Sequence, residues 1–494
     1  MPKVAIIGSG FSSFSAASTL AAKGIDVHIF EKNETVGGRS RQFSESGFKF
    51  DMGPSWYWMP EIFERFFNNF GHSASDFYEL KKLDPSFKIF FGKKDALDIP
   101  AEFDDLVELF EQTEIGAGDS LKRFMKEAEF KYNISMQDLI FKPGLSIFEL
   151  MDPKIFKGAF KLQLLQSFHK HVRKYFTHPK LIAIMEFPVL FLGSIPKKTP
   201  ALYSLMNYAG LNLGTWYPIG GFVKVIDGMR EVAEGLGVKV HTSEPVTKLI
   251  TKNNNILRVL ANENSMDVDA VIGSADYHHI ENSLLDIGLQ SYSKEYWDSR
   301  SMSPSCLIFY IGVNKKLNNI SHHNLFFHTD IEKHSFQIHT KPEWPTDPLF
   351  YVCCPSKTDK TVAPEGSENL FFLMPIASGL QDSETTRAHY FDMIIEKFED
   401  ITDQNIKDNI IYNKSYCIND FKKDYNAYKG NAYGLANTVN QTANLKPKIK
   451  SKKVDNLFFA GQLTVPGPGV PPSIISGEIS ANELLKQLNY EDFI

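Results

Sequence analysis

The chain of 494 residues contains no run of about eighteen uncharged apolar residues, so no transmembrane helix is expected. The best local stretch, residues 187–193, is far too short. Cysteine is scarce, with Cys306, Cys353, Cys354 and Cys417 alone. Four thiols, two of them adjacent, match neither a disulfide scaffold nor a zinc spacing. Positive charge is not in excess: the formal net charge is −6, which argues against nucleic acid as a partner of the chain as a whole. The N-terminal apolar run stops at Gly8 and lacks the pattern of a signal peptide, so the cytoplasm is the expected compartment. No internal repeat, low-complexity tract, P-loop or nucleophile elbow is present. The neighbouring pairs His278–His279 and His322–His323 cannot easily face one metal from a regular element, and are read as loop or surface positions. No metal is expected.

What is present is ordinary for a globular protein, with 43% apolar and 23% charged residues. The length suggests two or three domains. Phenylalanine stands out: 40 residues, mostly beyond the first forty positions, so the later chain is packed or lined with flat apolar rings.

The opening residues carry the clearest pattern. VAII at 4–7 reads as a buried parallel strand, residues 11–23 as a helix closed by Gly24, and 26–30 as a second strand ending at Glu31. Between strand and helix lies Gly8-Ser9-Gly10-Phe11-Ser12-Ser13. The first glycine permits the tight turn and the second lets the backbone approach a pyrophosphate. The sixth position, usually glycine, needs a small residue, and Ser13 is one. The helix N-terminus then points free N–H groups at phosphate, and Glu31 is placed to accept hydrogen bonds from ribose hydroxyls. Further on, Gly37-Gly38-Arg39 supplies close backbone approach and a phosphate partner. Near the C-terminus, residues 459–472 form a strand, a Gly/Pro turn and a helix start, a second site for partial negative charge.

These segments, with DMGPSWYWMPEIFERFF at 51–67 and NLFFAGQLTVPGPGVPPSIISGEISA at 456–481, resemble the flavin-dependent carotenoid desaturases of the bacterial phytoene desaturase type, within the amine-oxidase-like flavoproteins. The resemblance runs nearly end to end. It implies that Gly8, Ser9, Gly10, Phe11, Ser12, Glu31, Lys32, Gly38 and Arg39 hold the ADP part of FAD. Val246 would touch the adenine through its backbone. Gly53, Pro54, Ser55, Trp56, Gly461, Gln462, Gly469, Val470 and Pro471 would lie by the isoalloxazine ring. Two positions depart from the family pattern: Ser13 replaces glycine, and Val465 stands where many members carry histidine.

Residues 154–180 hold seven basic side chains and no acidic ones, while Phe156, Phe160, Leu164, Phe168, Val172 and Phe176 recur every four positions. One amphipathic helix is expected, with Lys154, Lys157, Lys161, Phe168, Lys170, Arg173 and Lys174 meeting an anionic membrane surface. A helix packed on the core with a solvated basic face is the plainer alternative. Glu149 and Asp152, just before it, are candidate acid/base groups; a helix boundary with solvated acids is the plainer reading there.

The expected fold is α/β: a Rossmann-like FAD-binding domain (GR2-type flavoprotein) from residues 1–75, 217–290 and 450–494, and an α+β substrate domain from 76–140 and 291–449. A helical membrane-facing part, residues 141–216, would admit substrate. The resemblance implies removal of two hydrogens from a polyene, phytoene towards lycopene, on the inner face of the cell membrane. Quinone or oxygen would reoxidise the flavin. A late-pathway 3,4-desaturase of a hydroxylated carotenoid is the nearest alternative. An amine oxidase and a non-enzymatic lipid-binding escort protein are the readings from other classes.

Overall fold

The computed structural model describes residues 1–146, 163, 166–190, 193, 195–438 and 441–490, without the side chains of 138 and 443. Glu149, Asp152, Lys154, Lys157 and Lys161 lie outside the described residues.

Strand Lys3–Ile7 sits at the centre of a five-stranded parallel sheet. Its neighbours are Asp26–Phe30 on one side and Ala270–Gly273 on the other, with Lys239–His241 and Leu457–Phe459 at the edges. Val4, Ala5 and Ile6 are fully buried, as a strand covered on both faces requires. The sheet therefore draws on three distant stretches of chain. Helix Phe11–Ala21 follows the first strand and packs against helix Val470–Gln487. That last helix begins at Val470 and takes Pro471 and Pro472 into its first turn, where proline is tolerated.

A second sheet has seven strands, in the order 410–416, 305–313, 368–376, 350–353, 323–326, 87–92 and 95–99. It is antiparallel except between 323–326 and 87–92. Strand Ser305–Val313 is buried at every position. A core against this sheet includes Phe309, Phe326, Phe350, Phe372 and Phe398, while more of the buried phenylalanines lie in the main core.

Two expectations are corrected. The stripe across 154–180 is not one helix where it is described: a short helix, Phe168–Val172, is followed by a turn and a separate helix, Pro179–Leu190. Phe168, Val172 and Phe176 are buried in the main core, so Phe168 is no membrane contact. Lys170 and Lys174 remain exposed, while Arg173 pairs with Glu186 and Lys180 with Asp95. The histidine pairs are not surface loops either. His322 and His323 are buried at the start of strand His323–Phe326, and His278 and His279 are half-buried in a helical turn. Among the described residues, no helix is long and apolar enough to cross a membrane.

Candidate functional site

One cavity of about 780 Å³ runs from the C-terminal end of the parallel sheet to the face of the antiparallel sheet. All nineteen residues assigned to the cofactor from the sequence border it, from Gly8 through Val246 to Pro471. A ligand crevice outside the carboxyl ends of parallel strands is the general rule for open α/β sheets.

The polar end is built by backbone. Gly8 has φ +98°, a conformation that disfavours a side chain, and a Cβ there would sit 3.1 Å from the amide of Ala275. Gly10 begins the first helix with no side-chain cap, and a Cβ on it would meet only open space. The N–H groups of that helix start are thus left facing the cavity. Gly38 passes close to Gly10, where a Cβ would lie 3.5 Å from its Cα. Arg39 carries a buried Nε with no hydrogen-bond partner, while its Nη2 donates to the carbonyl of Asn431. Loss of hydration lowers its pKa, so an anion beside it would relieve the cost. These features fit a diphosphate.

Glu31 is 4% exposed and already accepts four hydrogen bonds, from N and Oγ of Ser9 and from N and Nδ2 of Asn33. A ribose hydroxyl would therefore displace one of those donors. Lys32 donates to the Lys423 carbonyl and borders the same end. At the other end of the crevice, Gly469 (φ +115°) precedes the last helix, again with no side-chain cap. Pro471 and Pro472 have no N–H, so Val470 supplies the first turn's free donor. That donor suits partial negative charge on a flavin's pyrimidine edge.

The sequence alone missed several site residues. Ser274, Ala275 and Asp276 follow the buried strand Ala270–Gly273 and line the same cavity beside Gly8. Nothing local in the sequence links these small residues to Gly8, more than 260 positions earlier. Asp276 accepts from the amides of His279 and Tyr428, and burial raises its pKa to about 6. Its folded pKa lies above the unfolded value, so it contributes stability at low pH that is lost as pH rises from about 4 to 6. Asn keeps only one of the two acceptors, so Asp276→Asn costs a hydrogen bond at any pH, but its stability relative to the wild type is expected to be more favourable at pH 8 than at pH 4, in melting curves recorded at both.

The far half of the cavity is apolar, walled by Phe187, Leu325, Phe327, Ile331, Ile338 and Leu349. Trp56 lies between the two halves, with its ring stacked 4.0 Å from that of His323. The donor atoms of His322, His323 and Cys353 lie within 4.8 Å of one another, but both imidazoles already engage hydroxyls through Nδ1.

A glycine-turned diphosphate cradle opening into an apolar chamber defines a dinucleotide-dependent oxidoreductase of the flavoprotein class. The flavin containing amine oxidoreductase model matches residues 14–485, and the chain belongs to that family. It is 40% identical over 486 residues to a carotenoid 3,4-desaturase of Haloarcula japonica, covering 98% of each chain. It is 29% identical over 503 residues to a 4,4'-diapophytoene desaturase of Staphylococcus haemolyticus, covering 99% of each. In fold it is similar to an oxidoreductase from Methanosarcina mazei, with a TM-score of 0.63 at 17% identity, covering 97% of this chain and 100% of that one. The protein is an FAD-dependent oxidoreductase.

Proposed function

We propose that the chain desaturates a carotenoid, and that the reaction is a 3,4-desaturation of a long acyclic polyene. The observation that carries this reading is the cavity's division into a polar cradle and an apolar aromatic chamber that, among the described residues, has no charged anchor for an amine. The full-length likeness at 40% identity to a 3,4-desaturase, against 29% to a diapophytoene desaturase, favours the late-pathway reaction over phytoene. When bound, FAD supplies a two-electron acceptor able to take a hydride. The protein's part is to hold that group through Gly8–Ser12, Gly38 and Arg39, to lay the polyene along the Phe187 and Phe327 wall, and to keep water out.

The test mixes purified holoenzyme with vesicles carrying either a hydroxylated acyclic carotenoid or phytoene and follows visible absorption. Lengthened polyene bands from the hydroxylated carotenoid support the reading. Bands from phytoene alone return the assignment to an early desaturase. Flavin reduction by amines with none by either carotenoid would make the protein an amine oxidase.

Such a substrate must reach the site from lipid. At ~0.8 kcal/mol per methylene, a forty-carbon polyene costs roughly 30 kcal/mol to hold in water, above the ~20 kcal/mol ceiling of non-covalent binding. We therefore place the protein peripherally on the inner face of the cell membrane, with quinone or oxygen as electron acceptor. Exposed Lys170 and Lys174 support a membrane-facing role for this segment. Replacing both by Glu is expected to abolish sedimentation with anionic vesicles and to leave binding to the zwitterionic ones unchanged. Arg173 is left in place, because a Glu there would face Glu186.

A further inference from the structure

Desaturation removes a proton as well as a hydride, and the apolar chamber shows few groups able to receive one. His334 and His339 border the cavity too, and His334 has both ring nitrogens engaged by the backbone of Pro375 and Leu349; Tyr351 is distinguished by a second acceptor directly joined to it. Tyr351 and Ser55 both border the cavity, and the Tyr351 hydroxyl lies 2.9 Å from Oγ of Ser55 and 2.7 Å from Nδ1 of His323. Tyr351 and His323 stand on paired antiparallel strands, with His323 opposite Cys353 in register, so the two side chains are diagonal neighbours on one face. His323 is fully buried, is clamped by the Trp56 ring, and has no partner at Nε2. His322 and Cys353 are its other polar neighbours.

We propose that Ser55, Tyr351 and His323 form the proton-accepting relay of this site, with Tyr351 as the residue that meets the substrate. The inference rests on the desaturase reading above. In the accepting arrangement, Ser55 donates to the Tyr351 oxygen and Tyr351 donates to Nδ1 of His323. FAD, when bound, would be the oxidant and would take one substrate hydrogen with its electron pair as hydride. The neighbouring C–H bond then breaks; its electrons become the new C=C π bond. Its proton bonds to the Tyr351 oxygen as the phenolic proton passes to Nδ1 of His323, which becomes imidazolium. The proton returns along the same path when product leaves and water enters.

The resting state suits that direction. Burial holds the imidazoles of His322 and His323 well below their ordinary pKa, so His323 is an unprotonated acceptor at neutral pH. Burial also raises the Tyr351 phenol well above its usual range, so it passes a proton on and does not lose its own. The departing proton is strongly acidic, since the hydride leaves an allylic cation, and a strong base is unnecessary.

Tyr351→Phe and His323→Phe keep both rings and remove the relay. Each holoenzyme is mixed anaerobically with vesicles of whichever carotenoid reduces the wild type, and loss of oxidised-flavin absorbance is timed. Each variant is expected to lose about a hundredfold in reduction rate, with flavin content and substrate saturation unchanged. The double variant should be no slower than either single one, because the two groups act as a unit. The wild type should show a solvent deuterium effect that both variants lack. Wild-type rates, or slow variants that keep the solvent effect, overturn the relay. Nitrogen-15 histidine spectra of the substrate-free holoenzyme give a separate decision. A His323 ring whose proton sits on Nε2, and which shifts in Tyr351→Phe, supports the relay; a proton fixed on Nδ1 overturns it. Should neither carotenoid reduce the wild type, the desaturase reading fails, and the spectra still decide whether the acceptor exists.

Discussion

Gly477→Ala is expected to strip the protein of most of its flavin and to lower its melting temperature by several degrees. Gly477 lies inside the last helix, where it crosses the helix that follows the first strand. A Cβ at this position would stand 2.2 Å from the carbonyl oxygen of Ser12, 2.9 Å from Cβ of Ser15 and 3.0 Å from the amide of Ala16. Two of those three atoms are backbone, so no rotamer change relieves the overlap, and one helix must slide off the other. Overpacking of this kind costs ~1–3 kcal/mol. The displacement also reaches the site. Ser15 donates to the carbonyl of Ile474, which joins the two helices, and Ser476 accepts from the amide of Gly461, which ties the last helix to the turn after strand Leu457–Phe459. Moving the last helix carries Val470 and Gly461 away from the cradle at Gly8–Ser12. Gly235→Ala is the matched control: it too is helical, and its Cβ would meet nothing within 4 Å. Retained flavin and an unchanged melting curve in Gly477→Ala would show that the helices have slack the packing does not suggest.

This crossing also shows where sequence reading stops. The strand, turn and helix at 3–31 are written locally: apolar runs, glycines and an acid at fixed spacing define them before any partner is known. Gly8, Gly10, Glu31, Gly38 and Arg39 lie in short motifs with their own chemistry, whereas positions such as Val246 and Trp56 were named only through the family resemblance. Gly477 sits in an unremarkable small-residue stretch, and the reason for glycine there is the backbone of Ser12, 465 positions away. The same holds for His323, Tyr351 and Ser55, which three separate stretches bring within hydrogen-bond reach. The histidine pair was assigned to the surface because two neighbours on a strand point apart. His322 precedes the first paired residue and escapes that alternation, so both rings turn inward. The basic stripe failed for a different reason. A four-residue period over 156–176 is compatible with one helix, but it contains no information on whether the chain turns between Arg173 and His178, and of the apolar positions those described, Phe168, Val172 and Phe176, found a protein core to cover them.

Arg39→Gln should weaken FAD binding by about one to two orders of magnitude without unfolding the protein, measured by titrating flavin into apoprotein and by melting curves with and without flavin. The argument turns on what holds the guanidinium. Its ring neighbour is Tyr425, 5.0 Å from the guanidinium carbon, and its hydrogen bond goes to a neutral carbonyl. Among the described residues it forms no salt bridge, whereas Arg41, two residues on, is paired with Asp424 at 2.6 Å. A cation that has lost water without gaining a carboxylate is a cost to the empty protein, and the cost is repaid when an anion enters. Hydrogen bonds to charged groups contribute ~1.5–3 kcal/mol, which corresponds to roughly 10- to 150-fold in affinity. Removing the charge should therefore act in opposite directions on the two states. The apoprotein should melt at the same temperature or slightly higher, and the flavin-bound protein lower, so the stabilisation conferred by saturating flavin shrinks. Arg41→Gln gives the contrast: loss of its ion pair should lower the melting temperature of both states alike. Equal destabilisation of both states by Arg39→Gln would make Arg39 a structural side chain and leave the diphosphate to the helix N-terminus and the Gly8–Gly10 turn.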